Sequence, residues 1–240
     1  MKAAIDIILL AILLHGAWSG YKKGLIMGIG GILCIIVSIY GANLLANTFS
    51  MDVVPAMKPF AGGFMEGRID AEDGVLDSMG WGDLNYSVDD LLAIHPEDKE
   101  VFAAACYENI GIDSRSAKVM AEAALDYAET NGVGVVEGVI QQLCESVSYV
   151  CCFTLAFIMI IIVLTVVGNL PNLSYKIPHM DIVNDIAGTL LGIVNAAMLC
   201  VVLVWCMKFL GIIIGSDTLG ETILGSWFAE KDFLFPYLGI

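Results

Sequence analysis

Positive charge is what this sequence has least of. Lys and Arg number 11 against 26 Asp and Glu, a formal net charge of −15. Nucleic-acid binding needs a basic patch or stripe, so that class of function is excluded. Charge of either sign is scarce, at 15% of residues, where soluble domains run near a quarter. No CxxC or Cys/His spacing marks a metal site, and GxSxG, HExxH and Walker loops are all absent. We therefore expect no enzyme, no cofactor and no metal. Nor do the seven cysteines make a disulfide framework. Cys34, Cys151, Cys152, Cys200 and Cys206 lie in apolar runs as small hydrophobes. Only Cys106 and Cys144 fall in polar sequence, and they could bridge if that region lies outside the cytoplasm.

What remains is apolar. The chain is 58% hydrophobic with a mean hydropathy of +0.81. Its apolar residues are gathered into long runs and not spread with the period of a strand or an amphipathic helix, which predicts an integral membrane protein of the all-α class. Four runs stand out: Ala3 to Trp18, Gly24 to Phe49, Val147 to Val167 and Ile186 to Ile214. They predict four transmembrane helices with a small helical extracytoplasmic domain. Residues 1–49 would form a transmembrane hairpin and 50–146 an acidic helical insertion. Residues 147–214 would hold helices 3 and 4, and 215–240 an interfacial tail with Trp227, Phe228, Phe233, Phe235 and Tyr237. The first run is short for a span and resembles a signal peptide, with Ala17-Trp18-Ser19 like a cleavage site. Asp6 interrupts its apolar start, and cleavage would leave two lysines and a second spanning helix at the new N-terminus. We read it as uncleaved.

The chain is organised around Gly16 to Gly31, with glycines at 16, 20, 24, 28, 30 and 31 and Lys22 and Lys23 between them. This reads as a tight, positively charged hairpin. Gly24, Gly28 and Gly31 recur at the small-residue spacing that lets helix backbones approach in lipid, as do Gly188 and Gly192, with Asn195 one turn later. Lys22, Lys23 and Lys176 place their two loops in the cytoplasm, leaving the acidic insertion and both termini outside.

The insertion carries five Lys or Arg against nineteen Asp or Glu between Ser50 and Ser146. Pro55 and Pro59 open this segment, and the Gly-rich stretch from Gly62 to Gly82 reads as loop. Ser87-Val88-Asp89-Asp90 starts a helix like a capping box, with Asp for Glu. Pro96 supplies an N1 proline for a helix that stops at Gly111. Asp113 or Ser114 caps the next, with Val119, Ala123 and Tyr127 on one face and Gly132 at its end.

Several motifs match only by letter. Ser19-Gly20-Tyr21-Lys22 resembles S-x-x-K, Gly28-Ile29-Gly30-Gly31 half resembles a dinucleotide fingerprint, and Asp70, Glu72 and Asp73 lack the spacing of a calcium loop. His95 has Asp89, Asp90, Glu97 and Asp98 nearby, and we read it as a helix-start residue. Asp6 is costly in lipid. It fits a carboxylate near the helix end that fixes register, the alternative being a proton or cation path with Asn43, Asn195 or Lys208.

Ile5-Asp6, then Gly20-Tyr21-Lys22-Lys23-Gly24-Leu25-Ile26, then a helix with Tyr40 and Ala42, resembles the start of the colicin V production (CvpA) family. Asn184-Asp185-Ile186 leading into Gly188-Thr189-Leu190-Leu191-Gly192 is similar to that family's last helix. The family's short form lacks the long acidic insertion. The resemblance implies a bacterial cytoplasmic-membrane protein linked to toxin production or export and to envelope upkeep. It implies packing or motif roles for Asp6, Gly20, Tyr21, Lys22, Lys23, Gly24, Gly28, Gly188, Gly192 and Asn195. The expected partners are the lipid bilayer, other membrane or envelope proteins and further copies of the chain, with no nucleic acid. The periplasmic protease that some relatives carry after the fourth helix is not expected here. The function so predicted is a non-enzymatic accessory or scaffold. Its alternative is a small oligomeric transporter or channel using intramembrane polar residues such as Asp6.

Overall fold

The structure, a computed structural model, describes residues 2–72, 74–82, 86–169, 181–209 and 222–230. Every regular element among them is helical. In order they are α1 (Lys2–Ile69), α2 (Val75–Ser78), α3 (Val88–Ile94), a 3-10 turn (Pro96–Asp98), α4 (Lys99–Asn109), α5 (Ser114–Asn131), α6 (Val135–Asn169), α7 (Asp181–Phe209) and α8 (Ile223–Glu230). Three described segments are long and apolar enough to cross a membrane: Ala3–Ile69, Val135–Gly168 and Ile182–Lys208. The chain is thus an all-α protein of membrane-spanning character. The first segment carries both of the first two apolar runs.

α1 contains one non-helical residue, Gly24, at φ 77° and ψ −175°. That region of backbone space is open essentially to glycine alone. Along α7, the partners of α1 descend and then ascend. Gly16 meets Gly192 and Ala196, Gly20 meets Gly188, Gly24 meets Asn184, Gly28 meets Leu191 and Gly31 meets Asn195. The chain therefore doubles back at Gly24. The expected hairpin loop shrinks to one residue, and Gly16, Gly20, Gly28, Gly30 and Gly31 are all helical. The arm before the turn, residues 2–23, is about 33 Å long at 1.5 Å per residue, and the hydrocarbon core of a bilayer is about 30 Å.

The described residues fall into two compact units. One gathers those of 1–47, 152–206 and 218–239, and the other those of 48–151 and 207–217. In the first, α6 and α7 meet through Phe153 and Trp205, edge to face at 5.1 Å, and the Thr154 hydroxyl donates to Cys206 Sγ at 3.2 Å. The second arm of α1 meets α6 where Gly41 approaches Ile160.

In the second unit α1 runs straight through Pro55 and Pro59 and on to Ile69. This corrects the expected loop from Gly62, whose first part, 62–69, is helical. Both prolines are exposed, so the helix loses its hydrogen bonds on a face that can bend and be solvated. Val54, Met65 and Ile69 are buried along the same helix. The core here is built on Phe102, Tyr107, Leu92, Ile112, Met120 and Val139, all within 2% of full burial. Tyr107 donates its hydroxyl to the Val139 carbonyl at 3.0 Å.

Local chemistry explains the short helices. Ser87 Oγ accepts from the Asp90 N–H at 3.2 Å and donates to the Asp90 carboxylate at 2.7 Å, closing the capping box through its hydroxyl. Gly111 (φ 89°) and Gly132 (φ 63°) follow α4 and α5 with positive φ, the expected stop signals. The buried face of α5 is Ala117, Met120, Ala121, Ala124 and Ala128, not the predicted Val119, Ala123 and Tyr127; Val119 is exposed. Small residues win this face because α6 comes close, with Gly138 against the Ala124 carbonyl. Cys106 and Cys144 are free thiols, both buried. Burial pushes the Cys106 thiol up to about 12 and the Tyr107 phenol well above its ordinary value.

Candidate functional site

The site-forming residues of the first unit lie along one stripe of α7. Asn184, Gly188, Gly192 and Asn195 follow one another at helical spacing and so share a face. A Cβ at Gly20 would meet the Gly188 carbonyl and, at 2.8 Å, the Gly192 Cα. One at Gly188 would lie 2.5 Å from the Gly20 carbonyl oxygen, and one at Gly192 would strike that of Gly16. The two backbones thus touch with no room for a side chain on either. That is the close approach small residues permit in lipid, where apolar side chains gain little from each other over lipid tails.

Two amides of α7 hold the second arm. Asn184 Oδ1 accepts from the Leu25 N–H at 3.0 Å. It thereby caps the helix that restarts after Gly24 and satisfies one donor left over by the turn. Asn195 Nδ2 donates to the Gly28 carbonyl at 3.0 Å. Asn184 is 1% exposed, and its side chain lies where a Cβ on Gly24 would have to go. Turn and cap therefore require each other.

Asp6 reaches the far end of the sequence. Its two carboxylate oxygens accept from the Ile223 N–H at 3.1 Å and the Leu224 N–H at 2.9 Å. These are first-turn donors of α8, which no residue within that helix can satisfy, and a carboxylate there also meets the positive end of the helix dipole. Nearby, the Cys200 thiol points to the Leu9 carbonyl at 3.9 Å, which ties the same part of the first arm to α7.

The polar residues suggested for an ion path have separate partners. Asp6 holds α8, Asn195 holds Gly28, and Asn43 accepts from Asn47 Nδ2 one turn on, at 2.7 Å. Lys208 is buried and belongs to the other unit. Of the remaining motif residues, Tyr21 is exposed, Lys22 places its ammonium 4.8 Å from the centre of the Trp18 ring, and Lys23 is exposed. Lys176, His179 and the tail aromatics Phe233, Phe235 and Tyr237 lie outside the described residues.

Between the two arms of α1, α6 and α7 is a cavity of about 680 Å³. Its wall is largely aliphatic, with Gly16, Gly20, Gly28, Gly30 and Gly31 on the arms and Ile161, Leu164 and Thr165 on α6. His15, Ser19 and Lys23 also line it. In the second unit, His95, Glu97 and Asp98 bring ligand atoms within 4.8 Å of one another. His95 is exposed, stacked on Trp81 at 6.0 Å and 3.6 Å from the Glu97 carboxylate. A solvated helix start explains that group fully, with Pro96 opening the 3-10 turn.

Three contributors escaped sequence reasoning as site residues: Asn184, Gly16 and the first turn of α8. Asn184 shares the i, i+4 stripe of Gly188 and Gly192, and that spacing was the available signal. Nothing in the sequence pairs Asp6 with a turn 217 positions away. No family model, curated protein or solved structure matches the chain.

Proposed function

We propose that this chain is a non-enzymatic accessory or scaffold protein of the colicin V production type, set in the bacterial cytoplasmic membrane and linked to toxin production or export and to envelope upkeep. In this reading the two arms of α1 cross separately, α6 and α7 supply two further crossings, and the acidic unit lies outside the cytoplasm. Lys22 and Lys23 at the turn support that orientation.

The observation that carries the scaffold reading is the use of Asp6. A carboxylate serving a transport path has to exchange protons or ions with water, and polar groups on such a path lie along it together. Here both oxygens of Asp6 are occupied by the backbone of α8, and Asn195 is bonded to the Gly28 carbonyl. Asp6, Asn184 and Asn195 act as fasteners. What they fasten is a frame whose lipid-facing surfaces present Leu33, Ile36, Val37 and Tyr40 on α1 and Leu155, Ile158, Met159 and Ile162 on α6, all exposed. Those faces suit lipid and the helices of other membrane proteins.

The test is cross-linking in intact cells followed by affinity purification in gentle detergent. A reproducible envelope partner is expected, and its recovery should survive Asp6→Asn. Recovery of none, together with ion flux in liposomes that Asp6→Asn abolishes, would replace the scaffold with the small oligomeric transporter. Reporter fusions at Lys23 and Arg68 read the topology, with Arg68 expected outside.

A further inference from the structure

The cavity between the arms of α1, α6 and α7 has polar groups from its middle to the turn at Gly24, with Asn195 of α7 also on its wall. His15, Ser19 and Lys23 follow at i, i+4 and i+8 on one face of the first arm, and all three line the cavity. Lys23 adjoins the turn at Gly24, and Thr165 and Gly168 bring the last turn of α6 to the same wall. Ile8, Ile12, Ile35 and Leu199 line the rest. From Lys23 to Ile8 the first arm spans about 22 Å at 1.5 Å per residue, more than the ~15 Å of hydrocarbon in one leaflet.

Depth is marked independently. Trp18 and Tyr21, both exposed, sit on the last turns before Gly24, as aromatic side chains do at the headgroup level of a bilayer. Lys22 is engaged with the Trp18 ring. Lys23 is exposed and forms no ion pair among the described residues. An exposed ammonium at headgroup depth therefore overhangs an aliphatic slot long enough for a lipid tail.

We infer that this cavity seats one anionic phospholipid, with its phosphate at Lys23 and Ser19 and one acyl chain along the slot past His15. Basic pockets between membrane helices recognise anionic headgroups in this way, and the volume of about 680 Å³ falls within the ~300–1,000 Å³ usual for ligand pockets. A wholly apolar partner helix in the slot would cover Lys23 without supplying a counter-charge. A phospholipid supplies both halves. The inference does not rest on the scaffold reading, since a transporter would hold the same lipid.

Two substitutions test the two halves. Lys22→Gln is the internal control for Lys23→Gln, because it removes the same charge one residue away without lining the cavity. Gly30 lines the cavity and has nothing within 4 Å of a Cβ, so Gly30→Leu fills the slot without disturbing the backbone. The measurement is native mass spectrometry of the full chain with phosphatidylglycerol, phosphatidylcholine or inorganic phosphate added, each variant first shown to keep the wild-type helical circular dichroism. Wild type should retain phosphatidylglycerol several-fold better than phosphatidylcholine. Lys23→Gln should remove that preference and Lys22→Gln should keep it, while Gly30→Leu should lower retention of both lipids. Equal losses from Lys22→Gln and Lys23→Gln would overturn the proposal in favour of diffuse surface charge. Phosphate binding that needs Lys23 but ignores Gly30→Leu would reduce the site to an anion site. Should Gly30→Leu leave lipid retention intact and instead release a second copy or another protein, the slot holds a helix and the proposal fails.

Discussion

The carboxylate of Asp6 accepts the backbone N–H of Leu224 at 2.9 Å, joining the start of α1 to the start of α8 across 218 positions of sequence. The pair gives a charge near the end of an apolar helix a structural partner. A carboxylate that receives two first-turn donors offsets part of its own desolvation and helps to cap α8.

Removing that acceptor should release α8 and little else. Asp6→Ala is expected to lower hydrogen-exchange protection at Ile223 and Leu224 while amides around Tyr107 keep theirs. Asp6→Asn keeps one acceptor oxygen and should fall between. Loss of protection throughout the chain would show that Asp6 supports more than this contact.

The glycine seam makes a sharper contrast between two helical glycines. A Cβ at Gly188 would sit 2.5 Å from the Gly20 carbonyl oxygen and 2.7 Å from the Gly24 Cα, so Gly188→Ala should destabilise by about 1–3 kcal/mol, as overpacking does. Gly30 has open space where its Cβ would go, and Gly30→Ala should be neutral or gain up to about 1 kcal/mol from helix propensity. Thermal unfolding in detergent compares them. Equal effects would mean the backbones are not in contact.

In the acidic unit, Tyr107→Phe removes the hydroxyl bonded to the Val139 carbonyl and should cost about 0.5–1.5 kcal/mol. Ser87→Ala removes the cap of α3 and should cost about 1 kcal/mol. These residues lie on different elements without a shared partner, so the double variant should be additive.

Cys106 predicts an alkaline limit. Burial raises its thiol from 9.0 to about 12, so the folded state favours the neutral form. That contribution is complete below pH 9 and is lost as pH rises through 9 to 12, where the unfolded chain ionises first. Stability should fall across that window, and Cys106→Ala should flatten the fall. At pH 8 the thiol should resist alkylation until denaturant is added. Rapid labelling of the native protein would show that the site opens.

Much of this was legible in the residues because the signals were local. Four apolar runs, a cluster of glycines with two lysines, a serine cap at Ser87 and stops at Gly111 and Gly132 each act within a few positions of themselves. The loop expected from Gly62 was wrong over 62–69 for a tertiary reason: Met65 and Ile69 are buried along that helix, and packing outweighs the low helix propensity of its glycines. The face of α5 was misjudged likewise, because its close neighbour Gly138 selects alanines. By itself, then, the sequence determined that this is a helical membrane chain with an acidic central segment and a turn near Gly24, since hydropathy, charge and glycine content are properties of single segments. Only the tertiary structure decided that the turn is one residue capped by Asn184, that Gly20 and Gly188 touch backbone to backbone, and that Asp6 belongs to α8. Those choices join residues more than 150 positions apart, and the energy that selects them exists only once both partners are in place.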